Sequence, residues 1–492
     1  MLTLAFPPYG QYWLAWVALV PWLWSLQEAP PRRAFRLGLV MGLVQHLGTV
    51  HWIYHSMYVY GGMSLALSVA VVLLLCAYLA LYPAVFAWVL TKKLSCSRLS
   101  ALLLGPPLWV LMEYLRGHLL TGFPWTDLGG TQWRWLGIIQ VADLTGHYGV
   151  SYLVVGVNFA AVELRLLKRR LRQMPLFPLS YTVLGYALLL LALGGALLYG
   201  IKRLGEPLPR GSRSLRVAIV QANVEQSLKW EPALAQRHLA LYEQMSLAAA
   251  RHRVQLIIWP ETAYPYVLEE PLKEGVPPGL SALQERLGAA LLLGLVARRQ
   301  EGQLTNSALL LENGKAVFQY DKIHLVPFGE YVPLRRVLFF VNKLSQVVGN
   351  FSPGRDYSLA TLRGHGKFAV LICYEDIFPG LVRKFFRRAG DFMVVLTNDG
   401  WFGTTGGPHQ HLGFAALRAV ENRKPLLRAA NTGVSAVFDH TGRLLRSLPL
   451  AERGLLLAEL RTHPGQSFYS QWGDIFVYLM ALASLLMLLK KD

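Results

Sequence analysis

The chain has 492 residues, of which 53% are hydrophobic and only 16% charged, against roughly 25% charged in an ordinary soluble domain. Three cysteines and this apolar content exclude a disulfide-built scaffold and a disordered chain. The formal charge of +19 would suggest nucleic acid in a soluble protein, but the N-terminal basic residues sit in short clusters between apolar runs, as in the cytoplasmic loops of membrane proteins.

A helix needs about 20 mostly apolar residues to cross the hydrocarbon core. Stretches 11–27, 35–54, 63–90, 99–117, 147–164 and 180–200 predict spans, and 474–489 predicts a last one. Basic clusters occupy Arg32/Arg33/Arg36, Lys92/Lys93/Arg98 and Arg165/Lys168/Arg169/Arg170/Arg172, whereas 55–62 has none and 118–146 only Arg134. This alternation puts the first, third and fifth connections inside, together with Lys490 and Lys491, so that 201–473 faces outside. The predicted organisation is a transmembrane helical domain over 1–200, a Pro/Gly-rich linker over 201–214, an external domain over 215–461, and a linker with a C-terminal span over 462–492. Met1–Gly10 is too short for a signal peptide or a span, so the expected N-out start suggests that a first helix is missing.

From Leu215 the texture changes to short β-rich runs separated by helical ones, which reads as an α/β domain. Strands are predicted at Arg216–Asn223, Leu256–Glu261, Ala290–Ala297, Ser307–Glu312, Ala316–Tyr320, Phe368–Tyr374, Phe392–Asn398 and Gly433–Asp439. Helices are predicted at Pro232–Arg251, Gly279–Leu287, Phe378–Ala389 and Gln410–Arg423.

Sites in α/β domains are built at strand ends. Glu261 ends the run Leu256–Pro260, Lys322 follows Val317–Asp321, Cys373 and Glu375 follow Ala369–Ile372, and Asn398 with Asp399 follows Met393–Leu396. Singly these are ordinary residues. Together they supply a thiol that needs deprotonation, a carboxylate able to take the proton, and an ammonium able to lower the thiol pKa or hold an oxyanion. A Cys–His pair using His324, His409 or His411 is the weaker arrangement, because no His lies in the immediate Cys motif. Carboxylates and histidines do not repeat at metal-ligand spacing, so neither metal nor cofactor is expected. The run Val337–Val341 beside Arg335, Arg336 and Lys343 has the composition of an interfacial arm, apolar side chains in the acyl region and cations at lipid phosphates.

The order Trp259-Pro260-Glu261, Tyr320-Asp321-Lys322, Cys373-Tyr374-Glu375 resembles the nitrilase (carbon–nitrogen hydrolase) superfamily, whose catalytic set is Glu, Lys and Cys. Four further motifs look like the apolipoprotein N-acyltransferase family: Thr121–Trp125, Gln226–Trp230, His324–Pro333 and Asn398–Gly403. The resemblance implies a polytopic α-helical membrane domain joined to an external nitrilase-like αββα sandwich. It also implies an enzyme of the bacterial inner membrane, with its catalytic domain on the periplasmic side. The implied reaction passes a fatty acyl chain from a phospholipid, through a thioester on Cys373, to the N-terminal diacylglyceryl-cysteine of lipoproteins, with Glu261 as proton acceptor and Lys322 as oxyanion stabiliser. Glu330 and Glu375 are expected to orient Lys322 and polarise the thiol, and Trp230, Trp401, Phe123, Phe339 and Phe340 to line the substrate. That family has eight spans with a cytoplasmic N-terminus, and the one missing here is the first. A membrane-tethered amidase shares the triad and is the alternative; it would release free acid or ammonia.

Overall fold

The computed structural model describes residues 1–95, 100–170, 176–299, 302–331 and 350–490. The predicted arm, with Phe339 and Phe340, lies outside the described residues. The chain divides into two compact units: Met1–Trp52, Val69–Glu206 and Ser467–Asp492 form one, and Ile53–Ser68 with Pro207–Gln466 form the other.

The first unit is helical, with Pro31–Val50, Leu65–Leu94, Ala101–Arg116, His147–Arg170, Leu176–Gly205 and Ile475–Leu489. Among the described residues, two helices, Leu65–Leu94 and Tyr181–Gly205, are long and apolar enough to cross a membrane. The predicted span 11–27 is not one helix but a 3-10 turn, Tyr12–Trp16, followed by the short helix Val20–Leu26. Asn158 explains the break. Its Nδ2 donates to the Ala15 carbonyl at 2.9 Å and its Oδ1 accepts from the Leu19 N–H at 2.9 Å, taking main-chain groups that a continuous helix would pair internally. The core of this unit is aromatic, with Trp22, Phe86 and Trp109 in mutual ring contact.

The second unit carries thirteen strands among the described residues. They are β1 Ser214–Gln221, β2 Leu256–Ile258, β3 Val267–Glu269, β4 Ala290–Arg298, β5 Leu304–Glu312, β6 Lys315–Asp321, β7 Ala360–Leu362, β8 Gly366–Ile372, β9 Phe392–Thr397, β10 Leu426–Ala430, β11 Ser435–Phe438, β12 Leu444–Leu448 and β13 Gly454–Arg461. One sheet runs β13-β1-β2-β4-β5-β6 with β3 on β4, the other β12-β11-β10-β9-β8-β7. At their centres β1, β2 and β4, and likewise β8, β9 and β10, are parallel. Strands covered on both faces should read as unbroken apolar runs; Ala290–Ala297 and Phe392–Thr397 are buried throughout. The sheets touch through β1 and β10 and through β5 and β8. Helices Ala235–Ala250 and Pro278–Leu287 contact the first sheet, and Pro379–Phe386 and Gly407–Asn422 the second. The layering is therefore α/β/β/α.

Strands β3, β7, β10, β12 and β13 were not among the predicted elements. The segment Ile53–Ser68 differs from the sequence-based boundary: it falls within the predicted helical domain yet groups with the α/β unit, for reasons given by its contacts below.

Candidate active site

Three loops gather where β2, β6 and β8 end on one edge of the sandwich. Past β2 the chain runs on beside β4, with Trp259 N–H on the Leu292 carbonyl and Tyr264 N–H on the Gly294 carbonyl. Gly294 is required there: a Cβ on it would fall 2.4 Å from the Pro260 oxygen and 2.7 Å from Glu261 Cα. The buried Glu261 carboxylate accepts from Asn306 Nδ2 at 2.8 Å and Lys322 Nζ at 3.4 Å. Lys322 leaves β6 with its N–H on the Asn306 carbonyl, and Nζ also donates to Glu330 Oε1 at 2.9 Å. Asn306 Nδ2 gives its second hydrogen to Glu330 Oε1 at 2.8 Å. Burial opposes the Lys322 charge, but Glu330 and then Glu261 hold its pKa well above the ordinary range.

Cys373 follows β8 in the left-handed region, φ +52°, which costs a non-glycine residue about 1 kcal/mol. That turn aims the sulfur at the other loops, close enough to feel the charges of both Glu261 and Lys322. Burial pushes the thiol pKa up, Glu261 adds to this, and Lys322 works against it, so the resting sulfur keeps its proton. The Lys322 charge acts on Glu375, but the hydrogen bonds of Glu375 go elsewhere. Its Oε1 accepts from the Tyr320 hydroxyl at 2.7 Å and from the N–H groups of Ile323 and His324, and its Oε2 from Ile372 N–H at 2.7 Å. It thus ties the end of β8 to the chain just after Lys322. Burial raises the Glu375 pKa to about 7 despite those donors.

Behind the thiol lies a fully buried charge cluster. His411 bonds Asp376 at 2.7 Å and Asp399 at 2.8 Å through its two ring nitrogens, while Arg428 donates to the same carboxylates at 3.0 and 2.8 Å. Burial would raise the Asp399 pKa, but Arg428 and His411 hold it well below the carboxylate range. The Thr397 hydroxyl, within hydrogen-bond reach of Cys373, donates to Asp399 Oδ1 at 3.0 Å. His411 is therefore part of the support under the turn at Cys373. His324 stacks on Phe378 with centroids 4.0 Å apart, and burial followed by Lys322 lowers its pKa to about 4. His409 lies in the helix Gly407–Asn422.

Two loop motifs meet beside this edge. Asn398 Nδ2 donates to Gln226 Oε1 at 2.6 Å, and Asn431 bridges Asn398 to Val224. Trp230, on the first loop, is 49% exposed, with Lys229 Nζ 5.8 Å from its ring centroid. Trp401, on the second, is half-buried because Ile53–Ser68 covers it: the Ser56 hydroxyl donates to the Trp401 carbonyl at 2.7 Å, and Tyr60 sets its ring edge-on to Trp401 at 5.7 Å. His55 closes the same contact, since a Cβ on Gly403, φ +58°, would fall 2.4 Å from its Nε2. Phe123 belongs to the helical unit, where it stacks on Trp125. Sequence reasoning passed over Asn306 and Lys229. An Asn inside the apolar strand Leu304–Glu312 was a readable signal; a loop lysine carried none.

The arrangement can hold a protonated thiol beside a carboxylate, with a fixed ammonium able to meet an oxygen that gains charge. Among the described residues, no group of three or more His, Cys, Asp and Glu could hold a metal ion.

Residues 1–160 match the apolipoprotein N-acyltransferase N-terminal domain and residues 216–467 the carbon–nitrogen hydrolase family. An apolipoprotein N-acyltransferase of Geobacter metallireducens is 41% identical over 97% of this chain and 91% of its own length. One of Haemophilus ducreyi is 32% identical over 97% and 92%. Among solved structures, a mutant of the amidase from Nesterenkonia sp. AN1 is similar at 24% identity, covering 56% of this chain and 99% of that one with a TM-score of 0.40.

Proposed function

The chain belongs to the apolipoprotein N-acyltransferase family, and on that premise we propose that it moves a fatty acyl chain from a membrane phospholipid, through a Cys373 thioester, to the α-amino group of the diacylglyceryl-cysteine that begins a lipoprotein. It is an acyltransferase of the carbon–nitrogen hydrolase superfamily. The observation that carries the reading is likeness along the whole length: relatives of that name align over 97% of the chain, helical and α/β parts alike.

In the first half-reaction Glu261 takes the thiol proton as Cys373 sulfur attacks the ester carbonyl. The oxyanion that forms meets a Lys322 N–H, an interaction worth about 3 kcal/mol in a dry site. Collapse expels the glycerol oxygen, which recovers the proton from Glu261 and leaves as lysophospholipid. In the second half the lipoprotein amine attacks the thioester and gives a proton to Glu261. The departing thiolate takes that proton back, and the free enzyme returns with an amide formed. A raised resting thiol pKa suits this cycle, because the nucleophile is unmasked only as its proton moves to the base. Glu330 holds the Lys322 ammonium at 2.9 Å, and Trp230 and Trp401 offer aromatic walls to the acyl or glyceryl chains.

Incubation of the purified protein in liposomes with a diacylated lipopeptide should yield N-acylated lipopeptide and lysophospholipid in equal amounts. Free fatty acid or ammonia in place of N-acyl product would mark a hydrolase and overturn the reading. The charge alternation of the loops supports a polytopic inner-membrane protein with the α/β unit on the periplasmic side. Reporter fusions after Leu215 should therefore read as external and fusions near Lys92 as cytoplasmic; the reverse at either site would put the thiol in the wrong compartment.

A further inference from the structure

The reading above uses one lysine, yet the site contains two. Lys229 lies in the Gln226–Trp230 motif, where the sequence assigns it no role of its own, and its side chain is buried. Its Nζ donates to the Glu261 carbonyl at 2.9 Å and to Thr262 Oγ1 at 2.7 Å. Thr262 has φ +46°, so the chain turns just after the base, and that turn brings both acceptors to the same ammonium. The Trp230 ring centroid is 5.8 Å from Nζ.

The charges around the base explain why an ammonium is buried here. Glu261 and Glu330 are both buried or nearly so, and both take hydrogen bonds from Asn306 Nδ2 and Lys322 Nζ. One ammonium shared by two carboxylates leaves a negative charge unmatched among buried and half-buried groups, a costly arrangement unless a further cation stands near. A second cation at Lys229 closes the balance and leaves room for the anion that passes from carboxylate to thiolate to oxyanion.

Resting on the proposed function, we infer that Lys229 is a positioning residue of the site, the second counter-charge to the Glu261–Glu330 pair and the anchor of the base's main chain. Both the Glu261 and the Cys373 charges act on it, opposing the burial that brings its pKa down to about 8. Its charge also acts on His238, on the helix Ala235–Ala250, together with burial and Arg237. Cys373 in turn is faced by Glu261, Lys322, Lys229, Asp399, Arg428 and Tyr374.

The test compares full-length Lys229→Gln, which keeps two N–H donors and loses the charge, with Lys229→Arg, which keeps the charge. Two readouts are taken against pH in the same detergent preparation: alkylation of Cys373 by iodoacetamide, and acyl-enzyme formation from phospholipid by intact mass. Lys229→Gln should shift the alkylation profile to higher pH by about one unit, which at neutral pH is about a tenfold loss of reactivity. It should also move the acid limb of acyl-enzyme formation upward, whereas Lys229→Arg should keep the wild-type limb. A Lys229→Gln profile that matches wild type, or a loss equal at every pH and shared by Lys229→Arg, would make Lys229 a scaffold residue only and overturn the inference. If Lys229→Gln does not fold, the Arg variant decides alone, since a displaced limb with the charge retained also overturns it. Alkylation needs no lipid, so a wild-type protein that alkylates normally but never acylates would refute the functional reading while leaving the Lys229 comparison intact.

Discussion

Cys373→Ala should abolish acyl transfer, by on the order of 10⁴-fold or more, and should remove the acyl adduct from the intact-mass spectrum while the protein stays folded. The thiol fills little volume, so its loss should change stability by less than about 1 kcal/mol. Backbone strain offers an internal control. Ala retains the cost of φ +52° that Cys373 bears, whereas Cys373→Gly relieves it and should be the more stable of the two inactive variants by roughly 1 kcal/mol. Cys76 is buried within the helix Leu65–Leu94 and should carry no adduct. An adduct that persists in folded Cys373→Ala would eliminate the thioester route.

Glu261→Gln and Lys322→Met should each lower acyl-enzyme formation by about 10²- to 10⁴-fold, but they should differ in stability. The amide of Gln at position 261 still accepts from Asn306 and Lys322, so folding should be nearly unaffected. Sequence reasoning expects the same of Lys322, since a lone lysine is ordinarily solvated. The structure argues otherwise: the fully buried ammonium is held between Glu261 and Glu330, and removing it strands both carboxylates at a cost of about 3–5 kcal/mol. The double variant Lys322→Met with Glu330→Gln should recover part of that stability and none of the activity. Thermal midpoints and single-turnover rates on the four proteins decide the matter. Near-normal turnover in Glu261→Gln would reassign the base, and an unchanged midpoint in Lys322→Met would show that water screens the pair.

Glu261 and Cys373 stand out in the sequence because buried parallel strands mark their ends, whereas Lys322 follows the antiparallel strand β6 and stands out only by its place after Val317–Asp321. β2 is apolar throughout, and β8 and β9 are buried over Phe368–Ile372 and Phe392–Thr397, so that a polar residue that stops such a run stands at the sheet edge where loops converge. Lys229 was not legible, since nothing local distinguishes a loop lysine that tertiary packing buries from one in water. Arg428 was hidden for the opposite reason. It sits within the buried strand Leu426–Ala430, and only Asp376 and Asp399, which come from two other loops, make a cation tolerable there. β13 escaped because its partner is β1, more than two hundred residues earlier, so its place at the sheet margin depends on contacts no local pattern records. The break in 11–27 likewise depends on Asn158, a residue in another helix.

The covering of Trp401 by Ser56 and Tyr60 bears on how such a protein can be inherited or taken apart. The α/β unit looks like a cassette that a single excision, somewhere near Pro207 and again near Gln466, would release as a soluble fragment. That fragment would leave behind the sixteen residues Ile53–Ser68, and with them the hydroxyl on the Trp401 carbonyl and the ring against its indole. A recombination event that moved the cassette between genes would deliver a folded sandwich with an unfinished rim. The two ends of that cut therefore divide one piece of packing, because the cover of Trp401 is written in the part that the excision would discard.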